Sequence, residues 1–206
     1  MGENAMLSRT PDIGLVCEDK VPETWMQEFQ AAVASDQLDL LIERRISTKA
    51  FAAIEWLMPT AAVLFVAKSY FDGFLGEMGK DHYAALKAGI KRLCEHFAKV
   101  KVTLIGTAGK VAADQPYSML FSIYFDPNEK GVFKFLVPVD VPQEELDIAI
   151  DAFLDFLADY YAGTLDPDVE RRLGEAPDLG RTKLVAFNPA TGRIDPLNAR
   201  TRRFEG

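Results

Sequence analysis

A single-domain α+β fold, with a mixed β-sheet of six or seven strands packed by four or five helices, is what this 206-residue sequence predicts. Three observations carry that prediction. Met119, Phe121, Ile123 and Phe125 alternate with Ser118, Leu120, Ser122 and Tyr124, and after the turn DPNEKG the chain returns as GVFKFLVPV, so residues 118–138 form a hairpin. Two long stretches carry apolar residues at helical spacing: Tyr83, Leu86, Ile90, Leu93, Phe97, and then Leu146, Ile150, Phe153, Leu157, Tyr161. Length and a 49% hydrophobic content with 14 phenylalanines suit one globular domain spanning residues 1–206, with flexible ends at 1–11 and 199–206.

IGLVCE at 13–18 predicts a first strand. Pro22 opens a helix with Trp25, Phe29 and Val33 on one stripe, and the chain is extended again over 38–46. Ser47 or Thr48 caps a short helix through Phe51, Ile54 and Met58, which Pro59 ends. AAVLFVA, 61–67, has the unbroken apolar character of a strand buried on both faces, although periodicity alone also allows a buried helix. Ser69 and Asp72 match a capping box, so a helix is expected from there to Gly79, with Asp81 capping the next. That next helix would expose Lys87, Lys91, Arg92 and Lys99. KVTLIG at 101–106 is a further strand, Pro142 opens the last long helix and Gly163 closes it. Residues 164–181 show no period and predict a loop, 182–198 a last strand and turn, and the remainder a frayed tail.

A net charge of −8 excludes general nucleic-acid affinity, which needs a clustered positive field. Cys17 and Cys94 fit neither a disulfide framework nor paired metal-ligand spacing. MGENAMLSRTPD lacks the basic start and apolar stretch of a secretory signal, and Met6 stands where a myristoylation pattern needs Ser or Thr. The apolar run from Ala50 to Ala67 is interrupted by Glu55 and Pro59 and is too short to span a bilayer. A cytoplasmic protein without membrane insertion is the expectation.

Gly73, Gly76 and the Gly79-Lys80 pair suggest a phosphate-binding loop, but the spacing is one residue too long and Asp81 stands where magnesium needs a Ser or Thr. Such a loop must also be bare, whereas this one carries Phe74, Leu75, Glu77 and Met78. No strained Gly-x-Ser-x-Gly turn occurs. His82 reads either as an exposed residue beside a cap or as a general base oriented by Asp81 or by another carboxylate in space, and His96 as a surface residue. Asp147, Asp151, Asp155 and Asp159 recur every four residues, a like-charge pattern costing a helix roughly 0.2–0.5 kcal/mol per pair. Either the face is simply solvated, or a basic surface docks there. The chain itself has cations only after Glu170 in this region, at Arg171, Arg172, Arg181, Lys183, Arg193, Arg200, Arg202 and Arg203.

These readings favour a non-enzymatic interaction or regulatory protein, binding a protein partner or itself through charged and aromatic surfaces. Its candidate binding residues are Lys68, Tyr70, Asp72, Lys80, Asp81, His82, Tyr83, Asp151 and Asp155. The alternative is a small cytosolic hydrolase or transferase with a site near residues 68–83. No catalytic residue, metal ligand or cofactor is assigned.

Overall fold

In chain order the elements are β1 (Ile13–Glu18), α1 (Glu23–Val33), β2 (Leu40–Arg45), β3 (Ala62–Val66), α2 (Lys68–Phe74), α3 (Gly79–Ala98), β4 (Tyr117–Phe125), β5 (Val132–Pro138), α4 (Gln143–Ala162), α5 (Pro167–Glu175), β6 (Thr182–Asn188), β7 (Arg193–Asn198) and β8 (Arg203–Phe204). They come from a computed structural model, which describes residues 11–46, 60–74, 79–100, 116–125, 132–176, 182–198 and 203–204. The eight strands form one mixed sheet in the order β2-β1-β3-β4-β5-β6-β7-β8, one strand more than the upper expectation, and with five helices make a single α+β domain. Three neighbouring pairs are parallel, β1 with β2, β3 with β4 and β5 with β6. A parallel pair cannot be joined by a tight turn, and each of these pairs has one or two helices in its connection. The remaining pairs are antiparallel, including the predicted hairpin of β4 and β5.

The alternation in β4 decides which face the helices cover. Phe121, Ile123 and Phe125 are fully buried and share a core with Phe133 and Phe135 of β5 and with the apolar stripes of α1, α3 and α4. Phe97 of α3 stacks on Phe121 at 5.2 Å, and Phe153 of α4 on Phe135 at 4.1 Å. Each fully buried side chain of this size contributes about 1.5–3 kcal/mol. α1 and α3 approach closely at Gly89, where an added Cβ would lie 3.1 Å from Val33 Cγ2 and 3.2 Å from Phe29 Cδ2. Gly163 closes α4 in the left-handed conformation at φ 70°, as its position predicts.

On the other face Leu136, Leu184, Ala186 and Leu197 form a smaller cluster with Tyr117 and Phe204. Beside it lies a buried polar pair, Thr60 and Ser122, whose hydroxyls are 2.7 Å apart. Lys134 shares this face at 1% exposure, its ammonium 5.6 Å from the Tyr124 ring centroid.

Four local expectations are corrected. Ser69 and Asp72 do not form a capping box: α2 begins at Lys68, the Ser69 hydroxyl donates to Asp12, and Asp72 pairs with Lys68. Gly79 does not stop a helix and Asp81 does not cap one, because α3 starts at Gly79 and Asp81 lies in its first turn. Part of the expected loop at 164–181 is α5, whose Asp166 accepts from the Asp168 amide and whose Pro167 fills the first helical position. The region after it is a hairpin of β6 and β7, and within the tail expected to fray Arg203 and Phe204 pair with β7. The expected helix at 47–58 and strand at 101–106 lie outside the described residues, as do 75–78 with Gly76.

Candidate functional site

Around α2 and the start of α3, side chains that suggested chemistry are occupied by one another. Both carboxylate oxygens of Asp12, which is 6% exposed, accept bonds: one from the Asp39 amide at 3.0 Å, the other from Ser69. His82 is half-buried. Its Nε2 donates to the carbonyl of Val33 at 2.7 Å, which fixes the proton on that nitrogen, since a carbonyl only accepts. In the neutral ring Nδ1 then accepts from the Tyr70 hydroxyl at 3.1 Å. Val33 is the last residue of α1, so His82 satisfies one of the carbonyls that a helix end leaves without an intrahelical partner. Burial holds the Tyr70 phenol well above its usual pKa. Lys80 and Asp81 are exposed on the first turn of α3 and join none of these contacts. His82 is therefore a bridge between α1, α2 and α3, which neither reading from the sequence anticipated.

The acidic stripe of α4 faces α3. Lys91 reaches Asp151 at 3.0 Å and Asp147 at 3.9 Å; Lys87 reaches Asp155 at 2.9 Å and Asp151 at 3.7 Å. Tyr83 adds a hydrogen bond to Asp155 at 2.9 Å, and burial, followed by the charge of Asp155, pushes its phenol pKa up. The repulsion expected along this stripe is thus offset by lysines expected to lie in solvent. The described cations after Glu170 go elsewhere: Arg171 to Asp168 and Glu175, Arg172 to Asp168 and Asp195, Arg193 to Asp166, and Lys183 to the carbonyls of Leu173 and Gly174. Arg181, Arg200, Arg202 and the side chain of Arg203 lie outside the described residues.

The last member of the stripe, Asp159, differs from the others. It is exposed, accepts a 3.3 Å hydrogen bond from Thr164, and among the described residues has no cation in salt-bridge range. It sits in the last turn of α4, where the helix dipole disfavours negative charge and where no basic residue is present. Asp159 and Asp155 form one wall of an open groove of about 600 Å³ between α4, the segment leading into α5, and the β6–β7 turn. Phe156, Leu165, Val169 and Ile194 give it an apolar floor, and Asp166 and Arg193, paired at 3.2 Å, stand on the opposite side. The segment from Asp140 to Glu170 contains no Lys or Arg, so the groove is acidic apart from Arg193.

The far wall is anchored by Asp195, which is 1% exposed. It accepts from Arg172 at 2.6 Å, from Asn188 at 2.8 Å and from Thr191 at 3.1 Å, tying α5 to the β6–β7 turn. Gly192 closes that turn at φ 67°, a backbone conformation side chains disfavour.

Of the candidate residues from the sequence, the structure brings Lys68 to Asp72, Tyr70 to His82, and Tyr83 to Asp155, while only Asp155 lines the groove. Leu165, Asp166 and Arg193 were not singled out as site residues. The signal for α5 was present in Asp166-Pro167 followed by Val169 and Leu173 at helical spacing. Both cysteines are buried, and burial raises Cys17 to about 11 and lifts Cys94 further, which leaves little thiolate for nucleophilic attack. Burial also lowers the Lys134 ammonium to about 8. Among the described residues no group of three His, Cys, Asp or Glu is placed to hold a metal ion, and no helix is long and apolar enough to cross a membrane.

Fold and groove together define an α+β protein with an acidic, apolar-floored surface cleft. No protein-family model matches the chain, and no curated protein and no solved structure matches it.

Proposed function

We propose that this protein acts by binding rather than by catalysis, as an interaction module that engages a protein partner at the groove between α4, α5 and the β6–β7 turn. The groove is the observation that carries this reading: it is open, floored by apolar side chains and walled by carboxylates, one of which has no cation of its own among the described residues. The enzyme alternative near residues 68–83 draws less support, because both ring nitrogens of His82 are engaged and the Ser69 hydroxyl is held by Asp12.

The reading is tested by retention of partners from an extract of the source cells on immobilised wild-type protein, on Asp159→Lys and on Lys20→Glu, a charge reversal in the exposed turn between β1 and α1. A protein held by wild type and Lys20→Glu and released by Asp159→Lys is the expected outcome. Equal retention on all three, or none on any, contradicts it.

A further inference from the structure

The chemistry of the groove restricts what can occupy it. This inference rests on the binding reading above and concerns the occupant. We infer that the groove takes a cationic segment of a partner protein, with Lys or Arg flanking a large apolar side chain.

Three features support that occupant. First, the charge is arranged against the interest of the isolated fold. Asp159 carries negative charge at the negative end of a helix of 20 residues, four positions after another aspartate, and among the described residues it lacks the lysine that answers each of the preceding three. A partner cation near Asp159 would supply what α3 supplies to Asp147, Asp151 and Asp155. Second, the floor between the walls is Phe156, Leu165, Val169 and Ile194; the first, third and fourth keep at most 7% exposure and Leu165 is half-buried, so the floor presents a small apolar patch centred on Leu165 with few hydrogen-bonding groups. A fully hydrophilic polycation would leave that floor uncovered, and an acidic segment would face Asp155, Asp159 and Asp166. Third, the groove is held in shape by the Asp195 network on one side and by the lysines beneath α4 on the other, so an occupant meets a preformed surface.

The test uses three synthetic peptides titrated into the full-length, isotope-labelled protein: one alternating Leu with Lys and Arg, its charge-reversed copy with Glu at each basic position, and a copy with Ser at each Leu. The first is expected to move the amides of Leu165, Val169 and Gly192 and to bind less well as salt is raised. Asp159→Lys, which places a cation where the helix end prefers one, should weaken it at low salt by roughly tenfold or more, a charge reversal acting on a rim contact. Lys20→Glu, in the exposed turn between β1 and α1 and not among the residues lining the groove, should leave affinity unchanged. Equal binding of the charge-reversed peptide overturns the cationic inference and leaves the binding reading in place. Equal binding of the Ser copy overturns the apolar anchor. Shifts confined to residues outside the groove overturn the site, and no shift with any of the three peptides overturns both this inference and the reading on which it rests.

Discussion

The region around α2 and the start of α3 and the groove beside α4 and α5 hold similar side chains put to different use. In the first, Asp12, Ser69, Tyr70 and His82 are at least half-buried or bonded to one another, and each hydrogen bond closes a helix end or joins two elements. In the second, Asp159 and Asp166 stand at the surface around an apolar floor, and one of them opposes the local helix dipole. Polar groups in the first region explain why the helices sit where they do. In the second, Asp166 caps α5 and pairs with Arg193, whereas the charge of Asp159 adds nothing to the fold that a neutral residue would not.

The largest expected effect lies on the anchor of the groove. Arg172→Met leaves Asp195 buried without its cation and should cost about 3–5 kcal/mol in urea unfolding, with Gly192 and Arg193 losing hydrogen-exchange protection first. A loss no larger than that of a surface ion pair would break the distinction between a supported groove wall and an incidental one.

Lys134 provides a second test, because it is a buried charge distant from both regions in function. Its folded pKa of about 8 lies below the ordinary 10.5, so between those values the unfolded chain binds more protons and stability rises with pH. Below pH 8 the full penalty, of order 3 kcal/mol for a shift of this size, is present; Lys134→Met should therefore be more stable than wild type at neutral pH, with the gap closing as pH climbs toward 10.5. Comparing the two proteins at each pH cancels the opposing contribution of the cysteines and tyrosines, whose raised pKa values remove stability at alkaline pH. A gap that widens with pH contradicts the assignment.

A smaller effect is expected for His82→Ala, which strands the Val33 carbonyl and removes the Tyr70–His82 hydrogen bond and should cost about 1–3 kcal/mol by chemical denaturation. Full stability in that variant would return His82 to the list of residues kept for function. Gly89→Ala sharpens the same region from the packing side: Phe29 and Val33 have at most 1% exposure and little room to yield, so a loss of about 1–3 kcal/mol is expected from overpacking.

The sequence made the frame of the fold legible because its signals were local and repeated. The alternation in β4, the three-four stripes of α3 and α4, and Gly163 each needed only a short window. Tertiary contacts decided what it left hidden. Ser69 had the spacing of a cap, yet a carboxylate distant in sequence, that of Asp12, claimed its hydroxyl. Lys87 and Lys91 looked solvated until α4 was placed beside α3, and His82 looked exposed until the end of α1 met it. The acidic stripe was visible as a pattern, but periodicity could not tell that its first three members face lysines and its last faces an open groove.

The account turns on Asp159 being neutral for the fold and needed for binding. The most direct measurement determines stability by urea unfolding and affinity for the Leu-Lys-Arg peptide on the same preparation of Asp159→Asn. Stability should stay level or rise by about 0.3–1 kcal/mol as the charge leaves the helix end, while affinity falls severalfold. Unchanged affinity, or a loss of stability of similar size, contradicts it.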